Sequence, residues 1–208
     1  MTGARRVKAA GSGHSFTDIA CTDGVMVDLG GMNRLLAVEG AEVTVEAGIT
    51  IRELGPLLAA VTDRGLARIS FDPEPEQELE SLTLLAGRRV LRSPRALDET
   101  RSELDDYFGG RRTAFDLALD MRGLSEFTLR VLSELAKVPY GQTATYGELA
   151  ERAGNPRASR AVGTVMNRNR IPIVLPCHRI VGSSGALVGY GGGLERKERL
   201  LRLEGALL

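Results

Sequence analysis

Apolar and polar side chains alternate along the early part of the chain in a pattern typical of β-strands. The alternation is strict over residues 42–46, and a period of two residues places successive side chains on opposite faces of a sheet. Residues 55–61 and 66–71 are two further apolar segments, separated by a turn that ends at Gly65. Glycine is favoured there because such turns often need a positive φ angle. The pattern predicts a β-rich segment over residues 1–54, followed by a hairpin.

The spacing of apolar positions changes to a helical period further along the chain. Residues 97–108 are predicted to form an amphipathic helix that a pair of glycines ends. Residues 116–120 have the pattern of a short strand. From Ser125 the spacing is helical throughout, and Ser125 is expected to be the N-cap of a helix that ends near Val138.

Two short helices joined by a tight turn are predicted after that helix. Residues 145–148 have the spacing of a capping box, which predicts a first helix that ends at Gly154. Asn155 and Pro156 then predict the N-cap and first residue of a second helix. Its apolar positions are Ala158, Ala161, Val162, Val165 and Met166. Its opposite face carries Arg157, Arg160, Thr164 and Arg168. This arrangement is typical of a helix-turn-helix whose second helix reads DNA.

These elements predict an α+β protein in three parts. A β-rich appendage spans residues 1–54, a small N-terminal sheet domain spans residues 55–120, and a mainly helical domain with the helix-turn-helix spans residues 121–208. Hydrophobic residues make up 43% of the 208 residues, which is enough for a packed core. No apolar run approaches the roughly 18 residues of a membrane span, and the first residues lack the apolar centre of a signal peptide. We therefore expect a cytoplasmic protein with no membrane partner.

The charged residues are unevenly distributed, although the net charge of the chain is zero. Residues 121–208 contain 13 basic and 7 acidic side chains, and residues 152–194 contain six arginines and no aspartate or glutamate. A solvated arginine face normally has acidic residues interspersed. A cluster without them suits a phosphate backbone, so the charge pattern favours a nucleic-acid partner.

The chain contains two cysteines and two histidines, too few for a typical zinc site. We therefore expect no bound metal, and a free thiol at Cys177. Pro172 and Pro176 exclude a helix immediately before that cysteine, so the sequence predicts a rigid, extended and largely buried segment. A lone buried cysteine is most often inert packing.

Three features favour a reactive Cys177 instead. The adjacent His178 can lower the pKa of a thiol and supply the thiolate. Glu204 falls on the apolar face of a predicted helix over residues 194–204, where a buried carboxylate needs a partner, and His178 is the expected one. The glycine-rich loop around Tyr190 is suited to closing over a planar ligand.

Residues 140–205 resemble the catalytic domain of the methylated-DNA-protein-cysteine methyltransferases. The resemblance is carried by Pro-Cys-His-Arg at 176–179, by Gly-Asn-Pro-Arg-Ala-Ser-Arg-Ala-Val-Gly at 154–163, and by Tyr190-Gly-Gly-Gly-Leu194 with Glu204-Gly205. Residues 55–120 resemble, more loosely, the small sheet domain that precedes it in that family. The resemblance implies a monomeric, cofactor-free repair protein that moves one alkyl group from guanine O6, or thymine O4, of double-stranded DNA to Cys177.

The resemblance also implies roles for individual residues. Cys177 would be activated through a water molecule by His178 and Glu204, with Asn169 bracing the turn beside it. Tyr146 would crowd the 3′ phosphate and protonate the departing guanine. Arg160 would replace the base flipped out of the duplex. Further DNA contacts would come from Arg157, Ser159 and Arg179, and the substrate loop would contain Tyr190 and Gly191. Arg170 and Gly191 depart from the residues usual in the family, which suggests a looser turn with an added phosphate contact and a more flexible loop.

Residues 7–54 resemble part of the flavin-binding domain of the sugar-lactone oxidases, through Gly-Ser-Gly-His-Ser at 11–15 and Val-Thr-Val-Glu-Ala-Gly-Ile at 43–49. In that family the histidine of the first motif, here His14, commonly carries the flavin covalently. The second half of the flavin fold and the substrate domain have no counterpart in this sequence. We therefore expect an incomplete fragment that binds no flavin, joined near Leu54 by a gene fusion or by a misassembled reading frame.

Two alternative functions remain open from the sequence. The first is a non-catalytic binder of alkylated DNA, although such alkyltransferase-like proteins lack the acceptor cysteine. The second is a flavin-oxidase fragment whose fusion impairs function.

Overall fold

The computed structural model describes residues 34–36, 43–51, 54–73, 78, 80–82, 90–91 and 96–207. These residues form a small sheet and a set of short helices, which together make a mixed helix-and-sheet protein. They fall into two compact units. The first contains the described residues up to Ser102 together with Leu117–Asp120, and the second contains Glu103–Asp116 and the residues from Met121 onward.

The first unit is built on a five-stranded sheet. Its strands are β1 (Arg34–Leu36), β2 (Val43–Ile51), β3 (Gly55–Thr62), β4 (Gly65–Phe71) and β5 (Val90–Leu91). The first four are antiparallel in sequence order, while β5 pairs in parallel with β2. The predicted hairpin is confirmed as β3 and β4. Gly65 has a φ angle of +122°, and a Cβ atom there would collide with the Ala118 carbonyl, so only glycine fits.

Two sequence predictions concern the limits and the last segment of this unit. The predicted boundary at residue 54 lies between β2 and β3, which pair along their whole length, and the domain limits stay a prediction. The predicted strand over residues 116–120 is wrong: the structure has a single bridge between Leu119 and Leu66. The segment meets β4 only at its start, where Leu66 donates to Ala118 and accepts from Asp120, both at 2.8 Å. His14 and the other flavin-like residues before position 34 lie outside the described residues.

Helices α1 (Asp98–Phe108) and α2 (Glu126–Ala136) agree with the sequence predictions. The α1 helix ends at the expected pair of glycines, where Gly110 adopts a φ angle of +68°. The oxygen of Ser125 caps α2 by accepting from the backbone N–H of Thr128 at 3.2 Å. Both ends therefore follow local rules that can be read from the sequence.

The helix-turn-helix of the second unit consists of α3 (Tyr146–Arg152) and α4 (Ser159–Asn167). The predicted capping box is confirmed, because Thr145 and Glu148 exchange side-chain and backbone hydrogen bonds at 2.6 and 3.1 Å. The predicted start of the second helix at Asn155 is wrong. The Asn155 carbonyl accepts from Ala158 at 2.9 Å and closes a turn there, so α4 begins only at Ser159. Its buried residues are Val162, Val165 and Met166.

The remaining elements surround Cys177. A two-stranded parallel sheet pairs β6 (Ala144–Thr145) with β7 (Ile180–Val181), and the last helix, α5, is Leu194–Leu203. The predicted extended segment is wrong. Ile173 has a φ angle of +74°, and Leu175 donates to Ile171 at 2.9 Å, so the chain turns before Cys177.

Within the part of the chain that the structure describes, no helix is long and apolar enough to cross a membrane. The same residues contain no group of three or more metal-ligating side chains.

Candidate active site

Cys177 opens a buried 3₁₀ turn, Cys177–Arg179, and is 4% exposed. The Asn169 amide holds both the sulfur and the turn before it. Its Nδ2 donates to Cys177 Sγ at 3.1 Å and to the Leu175 carbonyl at 2.9 Å, while its Oδ1 accepts from Ile171 N–H at 3.1 Å. The sulfur is therefore held in position by an amide whose two N–H groups and oxygen are all engaged.

The environment of Cys177 keeps its thiol protonated at rest. Burial raises the pKa of the thiol to about 11, against the opposing effects of the Asn169 hydrogen bond and the Lys197 charge. The thiolate is the nucleophilic form of cysteine. Reaction at Cys177 therefore needs a base that accepts the proton as the sulfur attacks.

His178 is the base closest in sequence, and Glu204 fixes its orientation. His178 Nε2 lies 2.9 Å from Glu204 Oε1, and both side chains are buried. Burial would raise the pKa of Glu204, but hydrogen bonds from His178 and Arg179 lower it to about 2. An ionised carboxylate only accepts hydrogen bonds, so His178 carries its proton on Nε2 and presents Nδ1 as the acceptor.

The second nitrogen of His178 is available for chemistry. Burial lowers the pKa of His178, which keeps the imidazole neutral. Its Nδ1 is buried and makes no hydrogen bond to any residue that the structure describes. A neutral imidazole with a free, desolvated nitrogen is suited to accept a proton from a neighbouring thiol.

Tyr146 and Lys197 hold the loop that follows β7. The Tyr146 hydroxyl donates to the Val188 carbonyl at 3.2 Å, and the fully buried Lys197 ammonium donates to the same oxygen at 2.9 Å. Lys197 also donates to the Ile180 carbonyl at 2.5 Å. Burial and the nearby Cys177 raise the pKa of Tyr146, so its hydroxyl keeps its proton at neutral pH.

The arginine-bearing face of α4 is exposed, as expected. Arg157 and Arg160 are exposed and Ser159 is partly exposed. The Tyr146 ring lies against this helix, since a Cβ atom at Gly163 would be 3.9 Å from it. One side chain of α3 thus packs on the basic helix and bonds to the loop that follows β7.

Comparisons with known proteins agree with this arrangement. Residues 126–206 match the family model of the 6-O-methylguanine DNA methyltransferase DNA-binding domain, and residues 49–121 match that of its ribonuclease-like domain. A methylated-DNA–protein-cysteine methyltransferase from Methanosarcina acetivorans is 39% identical over 160 residues, which cover 74% of this chain and 94% of the relative. This chain belongs to the methylated-DNA–protein-cysteine methyltransferase family.

Other relatives support the same assignment. The methyltransferase of Mycolicibacterium paratuberculosis is 54% identical over 112 residues, which cover 54% of this chain and 67% of the relative. The structure of Mycobacterium tuberculosis OGT in complex with DNA superposes with a TM-score of 0.66 at 36% identity, covering 78% of this chain and 92% of that one. Residues 4–63 separately match a model of an FAD-binding domain, in agreement with the flavin-like motifs.

The structure brings most of the family's expected site residues together. Asn169 is hydrogen-bonded to Cys177, and the adjacent His178 is hydrogen-bonded to Glu204. Tyr190 is largely buried, and burial raises its pKa well above the usual value. A Cβ atom at Gly191 would lie 3.7 Å from the Asn167 carbonyl, which places the loop beside the end of α4.

The prediction that Arg179 contacts DNA is wrong. Arg179 is 6% exposed, and its Nε and Nη2 both donate to Glu204 at 2.8 Å. Its Nη1 donates to the Val138 carbonyl at 2.6 Å. With all three nitrogens engaged inside the protein, this guanidinium orients Glu204. Arg170 is likewise turned toward protein, since it donates to the Arg122 carbonyl at 3.2 Å.

Two residues of this methyltransferase site were missed by the sequence analysis. Lys197 had a visible signal, because it is a charged residue at helical spacing from the buried Leu200 and Leu201. Tyr107 had no local signal. Its hydroxyl donates to Glu204 Oε1 at 2.6 Å, across 97 positions of the chain.

Proposed function

We propose that this chain repairs alkylated double-stranded DNA by accepting one methyl or larger alkyl group from guanine O6, or thymine O4, on Cys177. The observation that carries the proposal is the buried thiol between Asn169 and the His178–Glu204 pair in a chain of this family. The chain acts as a monomer, and each molecule reacts once.

The first chemical step is proton removal from Cys177. His178 Nδ1 accepts the thiol proton through a bridging water, and Glu204 stabilises the imidazolium that results. Asn169 donates to the sulfur throughout and stabilises its negative charge. Lys197 contributes a longer-range positive charge, as its effect on the pKa of Cys177 indicates.

The second step is displacement at the alkyl carbon. Sγ forms a bond to that carbon while the carbon–oxygen bond breaks and its electron pair moves to O6 of guanine. The Tyr146 hydroxyl donates a proton to the departing base. The thioether on Cys177 has no leaving group comparable to guanine, so the transfer is permanent. Because the thiol itself is the acceptor, the reaction needs no cofactor.

The basic helix α4 delivers the damaged base. It enters a groove of the duplex, where Arg160 fills the space left by the flipped nucleotide and lowers the cost of flipping. Arg157 and Ser159 contact the backbone nearby. Tyr190 and Gly191 of the loop before α5 close over the extruded base. The acid-free composition of residues 152–194 supports this surface.

The organisation of the whole chain is also a proposal. A flavin-oxidase-like fragment over residues 1–54 precedes a small N-terminal domain over 55–120 and a catalytic domain over 121–208. The fragment holds no flavin at His14, and the protein works in the cytoplasm.

A single-turnover assay tests the transfer. Protein is mixed with duplex DNA that contains a radiolabelled O6-methylguanine, and label on the protein is followed over time. We expect transfer to stop at one methyl group per protein molecule and to be abolished in Cys177→Ser. Folded protein that binds the duplex without taking the label would be a non-catalytic binder instead. A yellow, fluorescent purified protein would indicate that the flavin fragment is functional.

A further inference from the structure

The carboxylate of Glu204 accepts a hydrogen bond from outside the catalytic turn. His178 and Arg179 both donate to its Oε1, and the Tyr107 hydroxyl donates to the same oxygen at 2.6 Å. Tyr107 belongs to α1 and lies in the ribonuclease-like part of the family match. A residue from that part of the sequence therefore contacts the pair that activates Cys177.

The contact is enclosed by aromatic rings. Tyr107 is fully buried, and its ring lies 5.0 Å from Phe108, 5.2 Å from Phe115 and 6.0 Å from Tyr140 between centroids. A buried phenol needs a hydrogen-bond partner. Burial and the charge of Glu204 raise the pKa of Tyr107, so the phenol remains a donor throughout the physiological range.

We propose that Tyr107 is a positioning residue for alkyl transfer, because its hydroxyl keeps Glu204 Oε1 aimed at His178 Nε2–H and charged while His178 takes the thiol proton. The proposal rests on the function proposed above. It assigns no contact between Tyr107 and DNA or Cys177, so its effect is transmitted through Glu204 alone.

The Tyr107 hydroxyl affects the pKa of His178 through the charge on Glu204. When Nδ1 of His178 accepts a proton, a strongly basic carboxylate would draw the other ring proton, on Nε2, toward itself. The Tyr107 hydrogen bond makes the carboxylate less basic and spreads the negative charge that His178 experiences. Removal of the hydroxyl leaves more charge on Oε1 and raises the pKa of His178. Among the described residues, the other ionisable groups that interact with His178 or Glu204 are Tyr140, Arg179, Tyr190 and Lys197, and Cys177 adjoins His178 in the chain.

The test compares Tyr107→Phe with Tyr140→Phe. Both changes remove one hydroxyl from the same aromatic cluster, but that of Tyr140 donates to the Leu203 carbonyl at 3.1 Å. Single-turnover rates are measured from acid to neutral pH together with DNA affinity. We expect Tyr107→Phe to slow transfer about tenfold and to move the acid limb of its pH profile to higher pH, with DNA affinity unchanged. Tyr140→Phe should match the wild type within about twofold.

A double-mutant cycle separates positioning from packing. In a Glu204→Gln background, Tyr107→Phe should have almost no further effect on the rate, because the proposed route passes through the carboxylate. Equal and additive losses in both backgrounds would overturn the proposal. So would indistinguishable pH profiles for the two phenylalanine variants. If neither the wild type nor Tyr140→Phe transfers a methyl group, the proposed function itself fails.

Nuclear magnetic resonance tests Tyr107 without relying on activity. The nitrogen resonances of His178 should titrate at higher pH in Tyr107→Phe than in Tyr140→Phe. If Tyr107→Phe does not fold, the wild-type protein still tests the hydrogen bond, because the Tyr107 hydroxyl proton should exchange slowly with water and resonate downfield. Rapid exchange of that proton would contradict the hydrogen bond on which the proposal rests.

Discussion

At the scale of single residues, the chemistry of Cys177 depends on the contrast between a neutral thiol and the charged groups near it. Burial favours the thiol, while Asn169 and Lys197 favour the thiolate. His178 is neutral and Glu204 is ionised, so a proton can move from the sulfur to the imidazole without leaving an unpaired charge. In the proposed transfer, Asn169 and Lys197 stabilise the thiolate, His178 accepts the proton, and Glu204 stabilises the imidazolium.

Replacement of Asn169 should show how far its hydrogen bond stabilises the thiolate of Cys177. Asn169→Ala removes the donor to Sγ and the brace of the turn, so we expect the pKa of Cys177 to rise above the wild-type value and methyl transfer to slow by roughly 10- to 100-fold. Thiolate absorbance in the ultraviolet, followed against pH, measures the first effect. An unchanged thiol titration would contradict the assigned role of Asn169.

The low pKa of Glu204 predicts a dependence of stability on pH. The pKa in the folded protein is about 2, below the ordinary value of 4.5, so the carboxylate stabilises the fold above about pH 4.5 and loses this contribution as the pH falls toward 2. We expect the free energy of unfolding to decline less over that range in Glu204→Gln than in the wild type. Urea titrations at several pH values measure this free energy for both proteins. Glu195→Gln, at an exposed ion pair with Arg199, should behave as the wild type.

At the scale of elements, helix caps place the working residues. The capping box at Thr145 begins α3 at Tyr146, and Ser125 begins α2, which carries none of the proposed site residues. These starts were predictable because capping is local in the sequence. The start of α4 was not, since the turn at Asn155 forms a backbone hydrogen bond that any residue type allows. For the same reason the 3₁₀ turn at Cys177 could not be read from the two prolines that precede it.

The two caps offer a matched comparison. Thr145→Ala and Ser125→Ala should each lower the free energy of unfolding by about 1 kcal/mol. Only Thr145→Ala should also slow alkyl transfer, because it loosens the helix start that carries Tyr146. Chemical denaturation and single-turnover rates measure the two effects. Equal transfer rates in both variants would show that the helix start does not position Tyr146.

The exposed face of α4 predicts a separable effect on DNA binding. Arg160→Ala should weaken binding to duplex DNA and lower the slope of affinity against salt concentration by about one, while the thiol titration stays as in the wild type. Arg130→Ala on α2, which removes an exposed pair with Glu126, is the matched control. Fluorescence anisotropy at several salt concentrations measures the slope. Equal slopes for the two variants would exclude α4 as the DNA-contacting helix.

At the scale of the whole molecule, sequence motifs identified the thiol, the neighbouring histidine and the basic helix. The pattern of apolar positions predicted a mixture of helices and a small sheet. They could not show that Arg179 is buried against Glu204 or that Tyr107 reaches the same carboxylate. Both contacts depend on tertiary packing between distant segments, and no period or motif records them. Nor could they show that residues 43–51 pair with the hairpin over residues 55–71.

That pairing predicts different outcomes for two deletions. Removal of residues 1–33 should leave methyl transfer unchanged, because none of the site residues lies there. Removal of residues 1–54 also takes away β2 and exposes the hydrogen-bonding edge of β3, so we expect lower thermal stability and aggregation. Thermal melts and light scattering measure both effects. Equal stability of the two shortened proteins would show that β2 contributes little to the sheet.

The most direct test of the central claim is a peptide mass spectrum taken after incubation with duplex DNA that contains O6-methylguanine. The peptide with Cys177 should gain one methyl group in place of one hydrogen, and the molar amount of modified Cys177 should equal the molar amount of O6-methylguanine repaired. A methyl group on Cys21 or another residue, or repaired DNA with an unmodified Cys177 peptide, would contradict it.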